Sequence, residues 1–219
     1  MTERVAAVCF DLDGTLIRSE EIRDAVRRAY VAEAGGRWSS AAQRDMSGMH
    51  LMEWAHYMHD RLGVAREPVT IAHEIEARIE ALYRERLPVV PGAREALERC
   101  AAVWPLALAT GSTRRLIDLV LDLGGLRGFF AATVSVDEVA AAKPAPDVYL
   151  RAAAVLGVPP ARCVAVEDSA NGIASAHAAG MRTIAVAGAA FARLWLPRAD
   201  LVLGRLGDLT PEAVRRAAE

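Results

Sequence analysis

The chain has 219 residues, 53% of them hydrophobic and 25% charged, enough for one sizeable core or a core with a small satellite domain. Its formal net charge of -2 offers no basic field for nucleic acid or for a membrane surface, and no run approaches the ~20 apolar residues that span a bilayer. The apolar run at 5–10 ends at once in Asp11 and Asp13, unlike a signal peptide, and Cys9, Cys100 and Cys163 have no metal-like spacing, so a reducing cytoplasm with small buried thiols is expected.

In chain order, the first expected element is a buried strand at 5–10, short, apolar and rich in β-formers, which runs into the polar loop Asp11-Leu12-Asp13-Gly14-Thr15. From 19 to 87 the pattern is helical. Ile22, Ala25, Val26, Ala29 and Tyr30 fall on one face, then Leu51, Trp54, Ala55, Met58 and Leu62, then Ile71, Ile75, Ile79 and Leu82. Gly35-Gly36 and Gly63 separate these helices, and Pro68 suits the first turn of the third. Beyond Pro91 helix and strand alternate. Helices at 91–101, 113–123, 146–156 and 170–179 precede strands at 106–109, 132–136, 163–166 and 182–186, and a strand at 200–203 and a helix from Pro211 follow. Such alternation predicts an α/β fold, a doubly wound parallel sheet with helices on both faces. The core is expected at 1–17 and 89–219, with an all-helical insertion at 18–88. Ligands of such sheets bind beyond the carboxyl ends of the strands, and the insertion leaves from that end, so a lid role is expected for it.

Four polar groups stand at expected strand ends. Asp11 and Asp13 project together where the first strand runs out, so one can attack while the other handles protons, and Gly14 permits a sharp turn. Thr110-Gly111-Ser112 combines hydroxyls with backbone N–H groups at a helix start, which reads as an anion site and equally as a helix N-cap. Lys143 is the only lysine beside 25 arginines, in Lys143-Pro144-Ala145-Pro146-Asp147. That bias points to a site that needs a compact ammonium and not a forked guanidinium. Glu167 and Asp168 are adjacent acids that repel unless a cation holds them, and hard oxygen ligands suit Mg²⁺; a helix cap by Asp168 or Ser169 is the other reading. A nucleophilic acid, a hydroxyl, a lysine and a metal-binding acid pair together describe phosphoryl transfer.

Four segments carry a resemblance: 10–16 (Phe10 to Leu16), 109–112 (Ala109 to Ser112), 143–149 (Lys143 to Tyr149) and 166–172 (Val166 to Gly172). With these intact and in order, the chain resembles the haloacid dehalogenase superfamily over essentially its whole length. Within it, the chain is similar to the subfamily with a helical cap after the first strand, which includes β-phosphoglucomutases and sugar-phosphate phosphatases. The resemblance implies that Asp11 attacks phosphorus and forms an aspartyl-phosphate, and that Asp13 protonates the leaving group and then deprotonates water. It implies that Thr110 and Lys143, with Gly111, hold the phosphoryl group. It also implies Mg²⁺ bound by the Asp11 carboxylate, the Asp13 backbone carbonyl and Asp168, with Glu167 at or near the metal shell. In the cap, the loop 46–50 matches where relatives carry substrate-reading residues, which makes Arg44, Gly48, His50 and Trp54 candidates for specificity. His56, His59, His73 and His177 have no partner pattern and read as ordinary helix residues.

The expected function is a phosphatase of a small phosphorylated metabolite, a sugar or polyol phosphate, acting as a cytoplasmic monomer. A sugar-phosphate mutase on the same scaffold is the alternative. Mutases of this family usually carry Val after Asp-Gly in the first motif and His in the first cap helix, where this chain has Thr15 and Arg23. A carbon–halogen or carbon–phosphorus hydrolase typically lacks an acid where Asp13 stands, and a non-catalytic phosphate-binding module needs no pair of acids.

Overall fold

The computed structural model of the chain describes residues 5–46, 49–186 and 199–219. It divides into two compact units, Met1–Arg18 with Val89–Glu219, and Ser19–Pro88.

The larger unit is built on a six-stranded, all-parallel sheet. Its strands are β1 (Ala7–Phe10), β2 (Leu106–Ala109), β3 (Phe130–Val134), β4 (Cys163–Glu167), β5 (Arg182–Val186) and β6 (Leu201–Leu203), in the order β3-β2-β1-β4-β5-β6. β1, β2 and β4 are buried along their whole length, which is why they read as unbroken apolar runs instead of alternating ones. β1 lies between β2 and β4, with Phe10 opposite Leu108 on one side and Val166 on the other. The chain therefore winds outward in one direction from β1 to β3, then crosses to β4 and winds the other way. The place where strand order reverses is where a doubly wound sheet opens a crevice at its carboxyl edge.

Turns and caps sharpen the expected boundaries by one or two residues. Thr113 and Ser169 stay outside the helices they start and accept from the amides of Leu116 and Gly172. The largest shift is β3, which begins at Phe130 and not at Ala132. The cysteines are free and buried. Among the described residues no helix is long and apolar enough to cross a membrane.

At the amino ends of the strands, opposite the crevice, Asp200 accepts hydrogen bonds from the Thr183 amide (2.8 Å), the Thr183 hydroxyl (3.0 Å) and Arg182 (2.8 Å), and pairs with His177 at 3.1 Å. His177 thus has partners, contrary to its expected reading. Asp200 lies 23 residues on in sequence, beyond the reach of a local pattern, and the Thr183 hydroxyl, 2.9 Å from His177 Nε2, belongs to the next strand.

The smaller unit holds α1 (Glu20–Glu33), α2 (Ser40–Asp45), α3 (Leu51–Leu62) and α4 (Pro68–Glu85), and the larger holds α5 (Ala93–Ala101), α6 (Arg114–Leu123), α7 (Asp147–Leu156), α8 (Ala170–Ala178) and α9 (Pro211–Ala217). The short α2 is absent from the sequence expectation because it buries only Ala42 and so carries no period; the Ser39 hydroxyl caps it. The buried face of α1 also departs from expectation. Arg23, Val26, Arg27, Tyr30 and Val31 are buried, while Ala25 and Ala29 are exposed. The cause is Trp54, whose ring lies 4.3 Å from the Arg27 guanidinium carbon and 5.5 Å from that of Arg23. Cation–π attraction draws two charged side chains onto a face that hydrophobicity assigns to alanines. On α4, Leu82 is 37% exposed and Tyr83 takes the buried position beside it.

Candidate active site

Every polar group singled out at the strand ends of the larger unit lies at the carboxyl edge of its sheet. Asp11 follows β1, and its amide donates to the Val166 carbonyl of β4 at 3.0 Å, so the first residue past one strand is pinned to the end of the neighbouring strand. Lys143 reaches this point from the loop before α7 (Asp147–Leu156). Its ammonium donates to Asp11 Oδ1 at 2.7 Å, Glu167 Oε1 at 2.6 Å and the Ala109 carbonyl at 2.9 Å. The ammonium thus spans the ends of β1, β2 and β4. Only 9% of the Lys143 side chain is exposed, and 7% and 0% of those of Asp11 and Glu167. Three buried acceptors around one point need a compact tetrahedral donor, which a planar guanidinium does not offer.

Glu167 is held on every side. Besides Lys143, its Oε1 accepts from the Tyr149 hydroxyl at 2.7 Å, and its Oε2 accepts from the amides of Asp168 and Ser169 and from the Ser169 hydroxyl. It also presses against the start of α8 (Ala170–Ala178): a Cβ on Gly172 would lie 1.9 Å from the Glu167 carboxyl carbon. Gly172 and Tyr149 are contributors the sequence reading left unassigned. A glycine in the first turn of a helix is the local signal by which such a close approach can be found.

Asp11, Glu167 and Asp168 can each offer a carboxylate oxygen such that all lie within 4.8 Å of one another. The loop after β1 is shaped around this cluster. Gly14 has φ +86°, and a Cβ there would fall 1.9 Å from Asp168 Oδ2, so only glycine lets the backbone pass over that carboxylate. Three carboxylates thus gather where one ammonium stands, bonded to two of them. Burial, opposed by Lys143 and reinforced by Glu167 and Asp13, pushes the Asp11 carboxyl up to about 7. The same partners act oppositely on Lys143: burial disfavours its charge, but Asp11 and Glu167 hold it above the ordinary lysine range. An added dication would balance the surplus negative charge and keep Asp11 ionised, and an all-oxygen donor set of this size fits a hard ion such as Mg²⁺. The Asp13 side chain is not in the cluster and meets the β2 loop instead. Its Oδ2 accepts from Ser112 Oγ at 2.5 Å and lies 3.5 Å from Thr110 Oγ1.

The two open readings of the β2 and β4 loops both resolve through neighbouring residues. Thr113 and Ser169 cap the helices, so that duty does not fall to Thr110, Ser112 or Asp168. Thr110 is fully buried and accepts from the Ser112 amide at 3.1 Å.

The specificity candidates of the helical unit do not form one group. Arg44 is exposed on α2. His50 is the N-cap of α3, accepting from the Met52 amide at 3.3 Å while Glu53 accepts from its own amide at 2.8 Å. Trp54 is buried, and its indole N–H donates to the Met46 carbonyl at 3.0 Å. Gly48 lies outside the described residues.

A family model of haloacid dehalogenase-like hydrolases matches residues 5–180. Hexitol phosphatase B of Escherichia coli (strain K12) is 36% identical over 191 residues, 84% of this chain and 84% of its own length. Fructose-1-phosphate phosphatase YqaB of the same organism is 30% identical over 190 residues, 85% of this chain and 98% of its own. Among solved structures, a mutant of CbbY from Rhodobacter sphaeroides in complex with xylulose-(1,5)bisphosphate superposes with a TM-score of 0.84 at 28% identity, covering 96% of this chain and 99% of its own. The parallel sheet, the clustered strand-end acids and these matches along most of the sequence agree: the chain belongs to the haloacid dehalogenase-like hydrolases and is a phosphatase of that family.

Proposed function

We propose that the chain is a Mg²⁺-dependent phosphatase that hydrolyses a small sugar or polyol phosphate through an aspartyl-phosphate, in the cytoplasm and as a monomer. The observation that carries the reading is the clasp at the end of β1, where Asp11 meets Lys143 at 2.7 Å inside a cluster with Glu167 and Asp168. The sugar or polyol character of the substrate is supported by the hexitol and fructose-1-phosphate phosphatases and by the sugar bisphosphate held by the CbbY structure.

In this reading Asp11 attacks phosphorus while Thr110, the Gly111 amide and Lys143 hold the phosphoryl oxygens. Asp13 gives its proton to the departing alcohol oxygen and later takes one from the water that releases phosphate. Asp11, the Asp13 backbone carbonyl and Asp168 would hold Mg²⁺. Glu167, with both oxygens already engaged by protein donors, stands behind them and steers Lys143. Bound there, Mg²⁺ would neutralise phosphate charge and keep the Asp11 carboxylate ionised. The helical unit would set the preference among esters.

Free phosphate released from a panel of phosphate monoesters, with Mg²⁺ and after exhaustive chelation, tests the proposal. Turnover on sugar or polyol phosphates that vanishes on chelation and returns with Mg²⁺ supports it; undiminished turnover without metal ends the metal assignment. Hydrolysis is proposed over mutation of the phosphate position because Thr15 and Arg23 stand where related mutases usually carry Val and His. With β-glucose 1-phosphate and a trace of glucose 1,6-bisphosphate, glucose 6-phosphate forming faster than free phosphate would reverse that choice.

A further inference from the structure

We propose that Ser112 is a positioning residue for proton transfer: its hydroxyl fixes the Asp13 carboxyl so that the proton for the leaving group sits on the carboxyl's other oxygen. The inference rests on the reading of Asp13 as general acid. Ser112 Oγ donates to Asp13 Oδ2 at 2.5 Å across 99 positions of sequence.

The rest of Ser112 is fixed independently of that bond. Its amide donates to Thr110 Oγ1 at 3.1 Å, and its carbonyl accepts from the Ser135 hydroxyl at 2.8 Å and the Val136 amide at 3.4 Å. Ser112 is 3% exposed and Ser135 is fully buried. Capping of the following helix, α6 (Arg114–Leu123), falls to Thr113, so the Ser112 hydroxyl is not needed there. A donor mounted on a backbone held at both ends, aimed at one oxygen of a carboxyl group, selects a single orientation of that group. With Oδ2 accepting from Ser112, an acidic proton on Asp13 resides on Oδ1.

The step that depends on this orientation is the first one. An Asp11 oxygen forms a bond to phosphorus, the bond from phosphorus to the ester oxygen breaks, and its electron pair stays on that oxygen. The oxygen takes the proton from Asp13, leaving Asp13 as carboxylate and releasing a neutral alcohol. The value of the proton depends on the leaving group. p-Nitrophenolate departs readily as an anion, whereas phenolate, a much stronger base, needs the proton more.

The ratio of kcat/KM for phenyl phosphate to that for p-nitrophenyl phosphate therefore reports the proton transfer. Because it is a ratio taken on one sample, it is unaffected by any loss of folded enzyme in a variant. In Ser112→Ala the ratio is expected to fall on the order of 10-fold, part of the ~10²–10⁴ that general acid catalysis supplies. Ser112→Thr, which keeps the hydroxyl, should return it toward wild type, and Asp13→Asn should lower it further than Ser112→Ala does. An unchanged ratio in Ser112→Ala overturns the proposal, since a hydroxyl that merely binds phosphate or supports the fold affects both esters alike. A ratio that Ser112→Thr leaves low overturns it as well. A low ratio in neither Asp13→Asn nor Ser112→Ala removes the acid role of Asp13 itself, and a wild type inactive on both esters removes the phosphatase reading; either takes the proposal with it.

Discussion

The two units of this chain bury charge in different ways. At the carboxyl edge of the sheet, buried ionic groups come from segments far apart in sequence: Lys143 meets Asp11 across 132 positions and Glu167 across 24. In the helical unit a buried guanidinium is matched by a neighbouring acid, an aromatic ring and a backbone carbonyl. Arg27 pairs with Asp24 and lies over Trp54, and Trp54 donates to a carbonyl eight positions away. In the first region the backbone of a parallel sheet carries the structure, so side chains at its ends are available for chemistry. In the second the polar and aromatic side chains are themselves the packing. The same kind of residue should therefore report on rate in one unit and on stability or ester preference in the other.

Asp11→Asn is the strongest test of that contrast. It should leave the thermal unfolding midpoint close to wild type and lower kcat by at least ~10³-fold, as for other groups that act directly on the reacting atom. Substantial turnover would remove Asp11 as nucleophile. The opposite pattern is expected for Trp54→Ala. Loss of a buried indole that carries two guanidinium contacts should cost about 3 kcal/mol in denaturant unfolding, with kcat on p-nitrophenyl phosphate retained wherever the fold persists. A rate loss without a stability loss would move Trp54 from packing to substrate contact.

Lys143→Arg keeps the charge and should still lower kcat/KM on the order of 10²-fold, the scale of one lost oxyanion donor. A near wild-type rate would show that charge alone suffices. Arg44→Ala, on the exposed face of α2, should change the order of preference among phosphate esters more than the rate on p-nitrophenyl phosphate. Equal losses on all esters would assign Arg44 to folding or closure.

The smallest effect separates charge used as scaffold from charge used in chemistry within the larger unit itself. Burial would raise the Asp200 carboxyl, but the Thr183 amide, His177, Arg182 and the Thr183 hydroxyl outweigh it and hold it at about 2, below its ordinary 3.8. A carboxyl depressed in the folded state contributes stability that is fully present above its unfolded value and is lost as pH falls through the folded one. Unfolding free energy should therefore decline between about pH 4 and pH 2, and Asp200→Asn should flatten that part of the curve without altering kcat at neutral pH. An unchanged slope in the variant would assign the acid sensitivity to other carboxylates.

The alternating helices and strands, the parallel class of the sheet and the places where Asp11, Thr110, Lys143 and Glu167 fall could all be read from the sequence. Each depends on sequence-local signals: unbroken apolar runs for strands buried on both faces, polar residues where such runs stop, and for Lys143 its being the single lysine of the chain. Periodicity failed where its assumption failed. It treats arginine as solvent-facing, so it rotated the buried face of α1 away from Arg23 and Arg27, and it missed α2, which buries a single alanine. The strand order, the pairing of Ser112 with Asp13, the Tyr149 bond to Glu167 and the fit of Gly14 over Asp168 came from the folded chain. These are contacts between segments brought together by strand order and register, and no window of neighbouring residues contains both partners of such a contact.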